Sequence, residues 1–600
     1  MTGGERIDEY GLIADGHTAA LVHRGGTIEW CCLKRLDAGS VFARLLDAER
    51  GGHFALAPSA PRAESERDYL DGTLVLSTTW HTGDGRARVL DFLAVDADEP
   101  ATARRQLVRV VDGLSGEVEF EAHVAPRFDY GAATPWLYDA PDGTHYAVAG
   151  DDAVVVSCGT QATRRGDHEL GARFTVAAGQ RVRLELRDVP PYALDADRAP
   201  RPSAADALDA RLDETIAWWR DWSRRATLPK TDRDGVMRSA LVLRALTNPR
   251  TGAIAAAATT SLPESGDGRT WDYRYSWVRD SVFSVRSLAA LGFEEAADAF
   301  RRFIQRSSAG HADELLIAYG VGGERRLPEL ELESLRGWRG IGPVRVGNGA
   351  GAQRQHDVLG QLLDLTWHWH ERGNAPDDHL WQLASALVER AAREWRLPDR
   401  GLWEWRGGPR HFTHSKVMCW VALDRGIRLA EDLGRDAPLA RWRAARDELR
   451  REIEARGYDS RQGVFTQCFD DLALDAALLR LGAVGFLDAR DERMVRTADA
   501  IATELGDDGL VRRYDTDDGQ PGREGSFLPC AFWLVECLAE QGRLDEAHER
   551  FERALRTRND LGLFSEEYDA RAGEPLGNVP QALTHFSHVL AALALERSGS

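Results

Sequence analysis

The sequence predicts a β-rich half followed by an α-helical half: an antiparallel β-sandwich over residues 1–203, a connecting helix and linker over 204–232, and an (α/α)6 barrel over 233–600. Three observations lead there. Up to about residue 190, short alternating or fully apolar runs are separated by Gly, Asp and Pro. That pattern stops at Ala199-Pro200-Arg201-Pro202-Ser203. From about residue 233 the apolar period is helical and stays so to the end.

The strands come first. Ala19–His23, Thr27–Trp30, Thr73–Trp80, Leu107–Val111, Val118–Val124, Ala153–Ser157, Arg173–Val176 and Arg181–Leu186 carry the β pattern. Turn residues lie between them, as in Arg24-Gly25-Gly26, Gly83-Asp84-Gly85 and Pro141-Asp142-Gly143. Many short strands with regular turn signals fit a large antiparallel sandwich. The connecting helix is predicted over Ala205–Ser223, where Leu208, Leu212, Ile216 and Trp219 recur at helical spacing. Helical segments then begin near residues 235, 279, 294, 352, 376, 413, 437, 469, 490, 526, 543 and 579, most of them three turns or longer. Twelve such segments fit six helical hairpins closed into a ring. A solenoid would show fixed-period self-similarity, which this sequence lacks. Long irregular links at 250–278, 310–350, 396–412, 505–525 and 557–578 interrupt the helices. Links of that length in a compact domain are usually functional, and they are expected to gather at one end of the ring.

Composition excludes several functions. Hydrophobic residues make up 43% and charged residues 29%, as in a globular enzyme rather than a disordered chain. The formal net charge of −20 disfavours nucleic acid and anionic membrane as partners. No basic segment followed by an apolar one opens the chain, and no run of 18 apolar residues occurs, so neither signal peptide nor membrane span is expected. The seven cysteines are irregularly spaced, without a Cys-x-x-Cys pair, and read as free thiols of a reducing, cytoplasmic compartment.

The link before the helix near 279 carries Trp271-Asp272-Tyr273-Arg274-Tyr275-Ser276-Trp277-Val278-Arg279-Asp280. Aromatic planes beside fixed charges suit a sugar, whose C–H faces stack and whose hydroxyls bond to carboxylates and guanidinium groups. The same run also fits an aromatic loop packed under a helix. Either way Arg279 and Asp280 are expected at a helix N-terminus, at the mouth of a cavity. In Gly401-Leu402-Trp403-Glu404-Trp405-Arg406 a lone carboxylate lies between two Trp. Apolar surroundings would raise its pKa, as a general acid requires, although a pairing with Arg406 or Arg410 also fits. Phe564-Ser565-Glu566-Glu567-Tyr568-Asp569 supplies a charged cluster from which an ionised carboxylate could activate water. A shielded carboxylate with an ionised one is the pairing of a glycosidase. Val511-Arg512-Arg513-Tyr514-Asp515, and Trp338 with Arg339, add aromatic and Arg groups.

These motifs together resemble family fifteen of the glycoside hydrolases, the glucoamylase/trehalase family. The resemblance rests on Trp271–Asp280, Gly401–Trp405, Arg513-Tyr514 and Ser565–Asp569, with His411–Lys416 and Gly577–Ala582 in support. The N-terminal half is similar to the bacterial branch through Gly16–Val22, Thr27–Cys31 and Phe42–Leu46. The resemblance implies the sandwich and (α/α)6 barrel, and inverting cleavage of an α-glucosidic bond from the non-reducing end. It implies Glu404 as general acid and Glu566 as general base. Arg279, Asp280 and Arg513 would hold hydroxyls of the terminal glucose. Tyr273, Trp277 and Trp403 would wall the scissile centre, and Trp338 the next subsite. Two stretches depart from the family pattern: Lys34 and Leu36 stand at a Pro and a Phe position, and Thr270 at the Asn of Arg-Asn-Trp-Asp. Both bear on leaving-group selectivity.

The expected activity is an exo-acting α-glucosidase, with trehalose favoured over glucoamylase or isomalto-type substrates. A disaccharide phosphorylase on the same architecture would need no carboxylate base, and Glu566 speaks against it; a non-catalytic glucan-binding protein is the further alternative. No cofactor and no metal are expected. His411/His414 and His585/His588 stand at i,i+3 without a third ligand, and Gly347–Gly351 lacks nucleotide-loop spacing. The expected partner is a small carbohydrate, and a homo-oligomer is compatible with this pattern.

Overall fold

The computed structural model describes residues 6–97, 99, 104–140, 144–159, 162–195, 200–266, 268–520 and 522–599. The expected turn at 141–143, residue 199 of the expected break and the first five residues lie outside that set. Among the described residues, fourteen antiparallel strands between Tyr10 and Asp188 form one continuous sheet.

Its spine is Gln106–Ala125, a single strand where the sequence reading has two. The intervening Asp112–Gly116 reads as a turn, yet Gly113 pairs with Ala87 and Gly116 with Gly85. The glycine at 113 serves close approach instead: a Cβ there would stand 2.0 Å from the Ala177 carbonyl oxygen. The first half of the spine pairs with Gly85–Leu93 and Arg181–Asp188, the second with His53–Pro58 and Leu170–Ala177.

Beyond the sheet the described chain is mainly helical: α1 (Ala205–Ser223), α2 (Arg233–Leu246), α3 (Val278–Ala290), α4 (Glu294–Ser307), α5 (Asp357–Glu371), α6 (Asp378–Glu394), α7 (Thr413–Asp432), α8 (Leu439–Arg456), α9 (Arg480–Ala483), α10 (Glu492–Glu504), α11 (Leu528–Glu540), α12 (Leu544–Leu555) and α13 (Ala582–Gly599). Two starts differ from expectation. The segment near 352 begins at Asp357, because Asn348 caps a short 3-10 turn ahead of it. The segment near 469 is delayed to a 3-10 turn at Ala476–Leu479 that runs into the four-residue α9. Asp470 takes a left-handed φ of 59°, and the Asp475 carboxylate caps the Ala477 N–H.

α3, α5, α7, the 476–483 segment, α11 and α13 each pack against the next, and α13 also packs against α3. Helices α7, α11 and α13 are buried on nearly all sides. Helices α4, α6, α8, α10 and α12 bury one stripe, as an amphipathic helix does when it covers another layer.

The sheet holds two of the long links, 250–278 and 310–350, from behind. Trp30 Nε1 donates to the Ala258 carbonyl at 2.8 Å. Arg336 forks onto Asp47 at 3.0 and 3.1 Å. All seven cysteines are free and buried, and no helix among the described residues is long and apolar enough to cross a membrane.

Candidate active site

The Trp271–Trp277 run is not uniform. It ends in a short strand, Ser276–Trp277, paired with Ala318–Tyr319. Trp271, Tyr273 and Trp277 line one cavity that opens to solvent. Asp272 and Arg274 face the other way and are fully buried. Arg274 forks onto Asp272 at 2.6 and 2.8 Å, donates to the Ala38 carbonyl at 2.9 Å, and lies against the Trp30 and Tyr130 rings. Asp272 and Arg274 therefore anchor the run to the sheet side, while Trp271, Tyr273 and Trp277 face the cavity; the Tyr275 hydroxyl instead accepts the Gly347 N–H at 3.1 Å. Trp271 itself is held between the guanidiniums of Arg406 and Arg345, 4.2 and 4.6 Å from its ring centroid.

Arg279 and Asp280 occupy the first turn of α3 and line the cavity. The Arg279 guanidinium donates to Gln355 Oε1 at 3.2 Å and to Glu404 Oε1 at 3.3 Å, and lies 3.5 Å from Asp280 Oδ2. Burial pushes the Asp280 carboxyl up to about 6; Arg279 opposes that rise. Asp280 Oδ2 has no hydrogen bond within the protein, which leaves it as an acceptor facing the cavity.

Glu404 sits on a left-handed backbone, φ 58°, after Gly401 at φ 66°. Such a conformation in a non-glycine residue costs on the order of 1–3 kcal/mol and is kept where the surroundings over-determine it. Here it turns the carboxyl away from its two Trp neighbours. Trp403 packs on Phe527 and Trp533 and donates to Asp475 at 2.8 Å; Trp405 packs on Phe412 and Tyr514. The Glu404 side chain stays 17% exposed beside Arg279. The expected wedge of Glu404 between Trp rings is thus corrected: the rings serve the wall, and a guanidinium faces the acid.

The environment of Glu566 is reversed as well. Ser565, Glu566 and Glu567 are buried rather than a solvated charged turn. Burial, then the Glu264 charge, drive the Glu566 pKa well above the ordinary range; Arg513 and the Tyr273 hydroxyl oppose that rise. Glu566 Oε2 has no hydrogen bond within the protein. Gly577, at φ 73°, makes room for it: a Cβ there would lie 2.6 Å from Glu566 Oε2 and 2.9 Å from its Cβ. Gly577→Ala should therefore displace the Glu566 carboxyl and strain the backbone. Turnover should fall by about tenfold or more. Unchanged kcat in that variant would show that Glu566 tolerates displacement.

Arg513 lies across the cavity, over the Trp403, Tyr514 and Phe527 rings, with Nε 2.6 Å from Glu524 Oε2. Arg269 also lines the cavity, forking onto Asp518 at 2.8 and 2.9 Å and holding Glu524. Glu404, Glu566, Tyr273, Trp277, Arg279, Asp280, Trp403 and Arg513 thus line one cavity. Trp338 does not. Gly337 at φ 82° and Arg339 at φ 52° turn the loop, and the Trp338 ring packs edge-on against Tyr10 of the sheet at 6.1 Å.

The His585/His588 pair is engaged within the protein. His585 and His588 meet Ser239 Oγ at 2.9 Å each, and His588 meets Asp232 at 3.0 Å. The carboxylates that do converge among the described residues are Glu264, Glu524 and Glu567, with oxygens within 4.8 Å of one another. Sequence reading passed over Glu264 and Glu524, which lie in links without periodicity; Pro263, six residues before Arg269 in a long link, was the available signal.

The model of glycosyl hydrolases family 15 matches residues 230–593, and that of the trehalase-like N-terminal region matches residues 2–193. The chain is 41% identical to the trehalase of Mycolicibacterium smegmatis, over 99% of this chain and 91% of that protein. It is 41% identical to the trehalase of Mycobacterium tuberculosis, over 99% and 90%. It is 32% identical to the trehalase of Thermoplasma volcanium, over 100% and 95%. Its fold is similar to that of a bacterial glucoamylase complexed with acarbose, with a TM-score of 0.73 at 13% identity, covering 99% of this chain and 94% of the other.

Proposed function

Since the chain belongs to glycosyl hydrolases family 15, we propose that it is a trehalase, an inverting glycoside hydrolase that splits α,α-trehalose into two glucose molecules. One juxtaposition carries the chemistry: Glu404 and Glu566, from separate links, line the same cavity as Arg279 and Arg513. Trehalose, rather than a longer glucan, is favoured by the end-to-end likeness to trehalases, the N-terminal half included.

Glu404 protonates the oxygen that leaves with the second glucose. Glu566 takes a proton from a water attacking the opposite face of the first. A gap of about 6.5–9.5 Å between the carboxyls leaves room for that water. Raised proton affinity makes Glu566 the stronger base once it is ionised. Asp280, Arg279 and Arg513 hold hydroxyls of the glucose that is attacked. Tyr273, Trp277 and Trp403 exclude solvent from it. Because Trp338 packs against Tyr10, we assign the leaving glucose to Trp271 with Arg406 instead.

The architecture proposed with this reading is a β-sandwich over residues 1–203, a linker over 204–232 and an (α/α)6 barrel over 233–600. The packing of α13 against α2, α3 and α11 supports closure of the ring. Seven free, buried cysteines support a cytoplasmic location.

Proton NMR tests the activity. With trehalose the first turnover should release β-glucose and α-glucose in equal amounts, one from inversion and one from the leaving sugar. Maltose, isomaltose and maltopentaose should react far more slowly. Only α-glucose at early times would sink the inverting assignment, and faster hydrolysis of the maltose series would make the enzyme glucoamylase-like.

A further inference from the structure

Glu264 stands beside the cavity wall and belongs to neither the acid–base pair nor the hydroxyl-binding set. Its N–H donates to the Arg269 carbonyl at 2.9 Å. Its side chain is fully buried. Oε1 accepts the Tyr273 hydroxyl at 3.1 Å, and Oε2 has no hydrogen bond within the protein. Tyr273 lines the cavity and lies near Glu566 and Glu404 as well as Glu264. One phenol hydroxyl, which can donate a single proton, thus faces two buried carboxyls.

The charges around Glu264 do not balance if every carboxyl is ionised. Glu264, Glu524, Glu566 and Glu567 face Arg513 and Arg269. Arg269 is also engaged by Asp518, and Arg513 spends its fork on Glu524, leaving its Nη2 3.7 Å from Glu264. Glu567 accepts the Gly525 N–H at 3.0 Å through Oε2, while its Oε1 has no partner within the protein. Buried carboxyls with too few cations hold protons. A cation bound among Glu264, Glu524 and Glu567 is the alternative way to balance the charge. The two guanidiniums already on Glu524 disfavour it, because a metal would lie beside them.

We propose that Glu264 is a positioning residue for the catalytic base, sharing one proton with Glu566 across the Tyr273 hydroxyl. With the proton on Glu264, its O–H donates to the Tyr273 oxygen, Tyr273 donates to Glu566, and Glu566 stands ionised and ready to accept a proton from water. With the proton on Glu566, Tyr273 donates to Glu264 and the base is blocked. Burial raises both carboxyls; the Glu264 charge raises Glu566 further, and the Glu524 charge raises Glu264. The acid limb of the pH profile therefore belongs to the pair rather than to Glu566 alone. The inference rests on Glu566 as base, as proposed above.

The test is the pH dependence of kcat/KM for trehalose in the parent, Glu264→Gln and Tyr273→Phe. Glu264→Gln keeps a hydrogen-bonding group of similar size but removes the second charge. Its acid limb should move down by about one pH unit, with plateau kcat reduced less than about tenfold. Tyr273→Phe should move the limb up, because Glu566 loses its donor and keeps its charged neighbour. A limb that stays in place while activity falls equally at every pH would reduce Glu264 to a structural role and overturn the proposal. Should Glu264→Gln fail to fold, Tyr273→Phe decides by the same criterion. A limb that EDTA moves in the parent and Mg2+ restores would put a cation in place of the shared proton, and would also overturn it. Infrared titration of protonated carboxyls needs no substrate: the parent should show a group ionising well above the ordinary glutamate range that Glu264→Gln lacks. If that band behaves as expected while trehalose is not hydrolysed, the substrate assignment fails and the shared proton stands.

Discussion

Glu566→Gln should lower turnover of trehalose by about 100-fold or more, and should lower turnover of α-glucosyl fluoride as severely. Fluoride leaves without a proton, so that substrate has no need of an acid, but the attacking water still needs a base. Glu404→Gln should separate the two: trehalose hydrolysis falls by a similar factor, while α-glucosyl fluoride is cleaved at near-parent rates. The cavity supports this asymmetry. Glu566 is buried with its Oε2 unbonded beside Gly577, whereas Glu404 is partly exposed and touches Arg279. The acid limb of kcat/KM should report Glu566 together with Glu264, the pair that shares one proton. The raised pKa of Glu566 places that limb above the usual glutamate range, so activity should rise with pH through the limb as the base ionises. Steady-state rates on the two substrates check the assignment. If Glu404→Gln lost both activities equally, Glu404 would be holding the substrate rather than donating a proton to it.

The second large effect is on stability. Arg274→Met should leave the Asp272 carboxylate fully buried without its fork, and should cost about 3–5 kcal/mol. It also removes the guanidinium from the Trp30 and Tyr130 rings and from the Ala38 carbonyl. Those contacts join the active-site run to the sheet, so the loss should appear first at that junction. Scanning calorimetry should record a lowered midpoint. Limited proteolysis should cut near residues 271–277 at temperatures where the parent resists. A midpoint unchanged from the parent would show that the Trp271–Asp280 run is held by the helices alone.

Much of this was written in local pattern. The apolar period after Asp280 put Arg279 and Asp280 in the first turn of a helix, and the structure has α3 begin at Val278. The long links were visible as breaks in periodicity, and the cavity is lined from four of them. Other features needed the third dimension. The resemblance implies Trp338 as a subsite aromatic, but two left-handed residues beside it set its direction, and sequence carries that weakly for Arg339. Asp272 and Arg274 look like sugar ligands beside Trp271 and Tyr273. Alternation along an extended chain sends them to the opposite side.

The sequence by itself determined the β-then-α order and most of the helical segments, and it singled out Glu404 and Glu566 as candidates, because period, turn residues and motifs are local properties of the chain. Only the tertiary structure decided which carboxylate is shielded. The residues around Glu404 are aromatic in sequence but turn away in space; those around Glu566 are acidic in sequence but are sealed from solvent by the cavity wall and faced by Glu264, three hundred positions distant in order of magnitude along the chain. Desolvation and charge act through space, and their sources here come from links that only folding brings together.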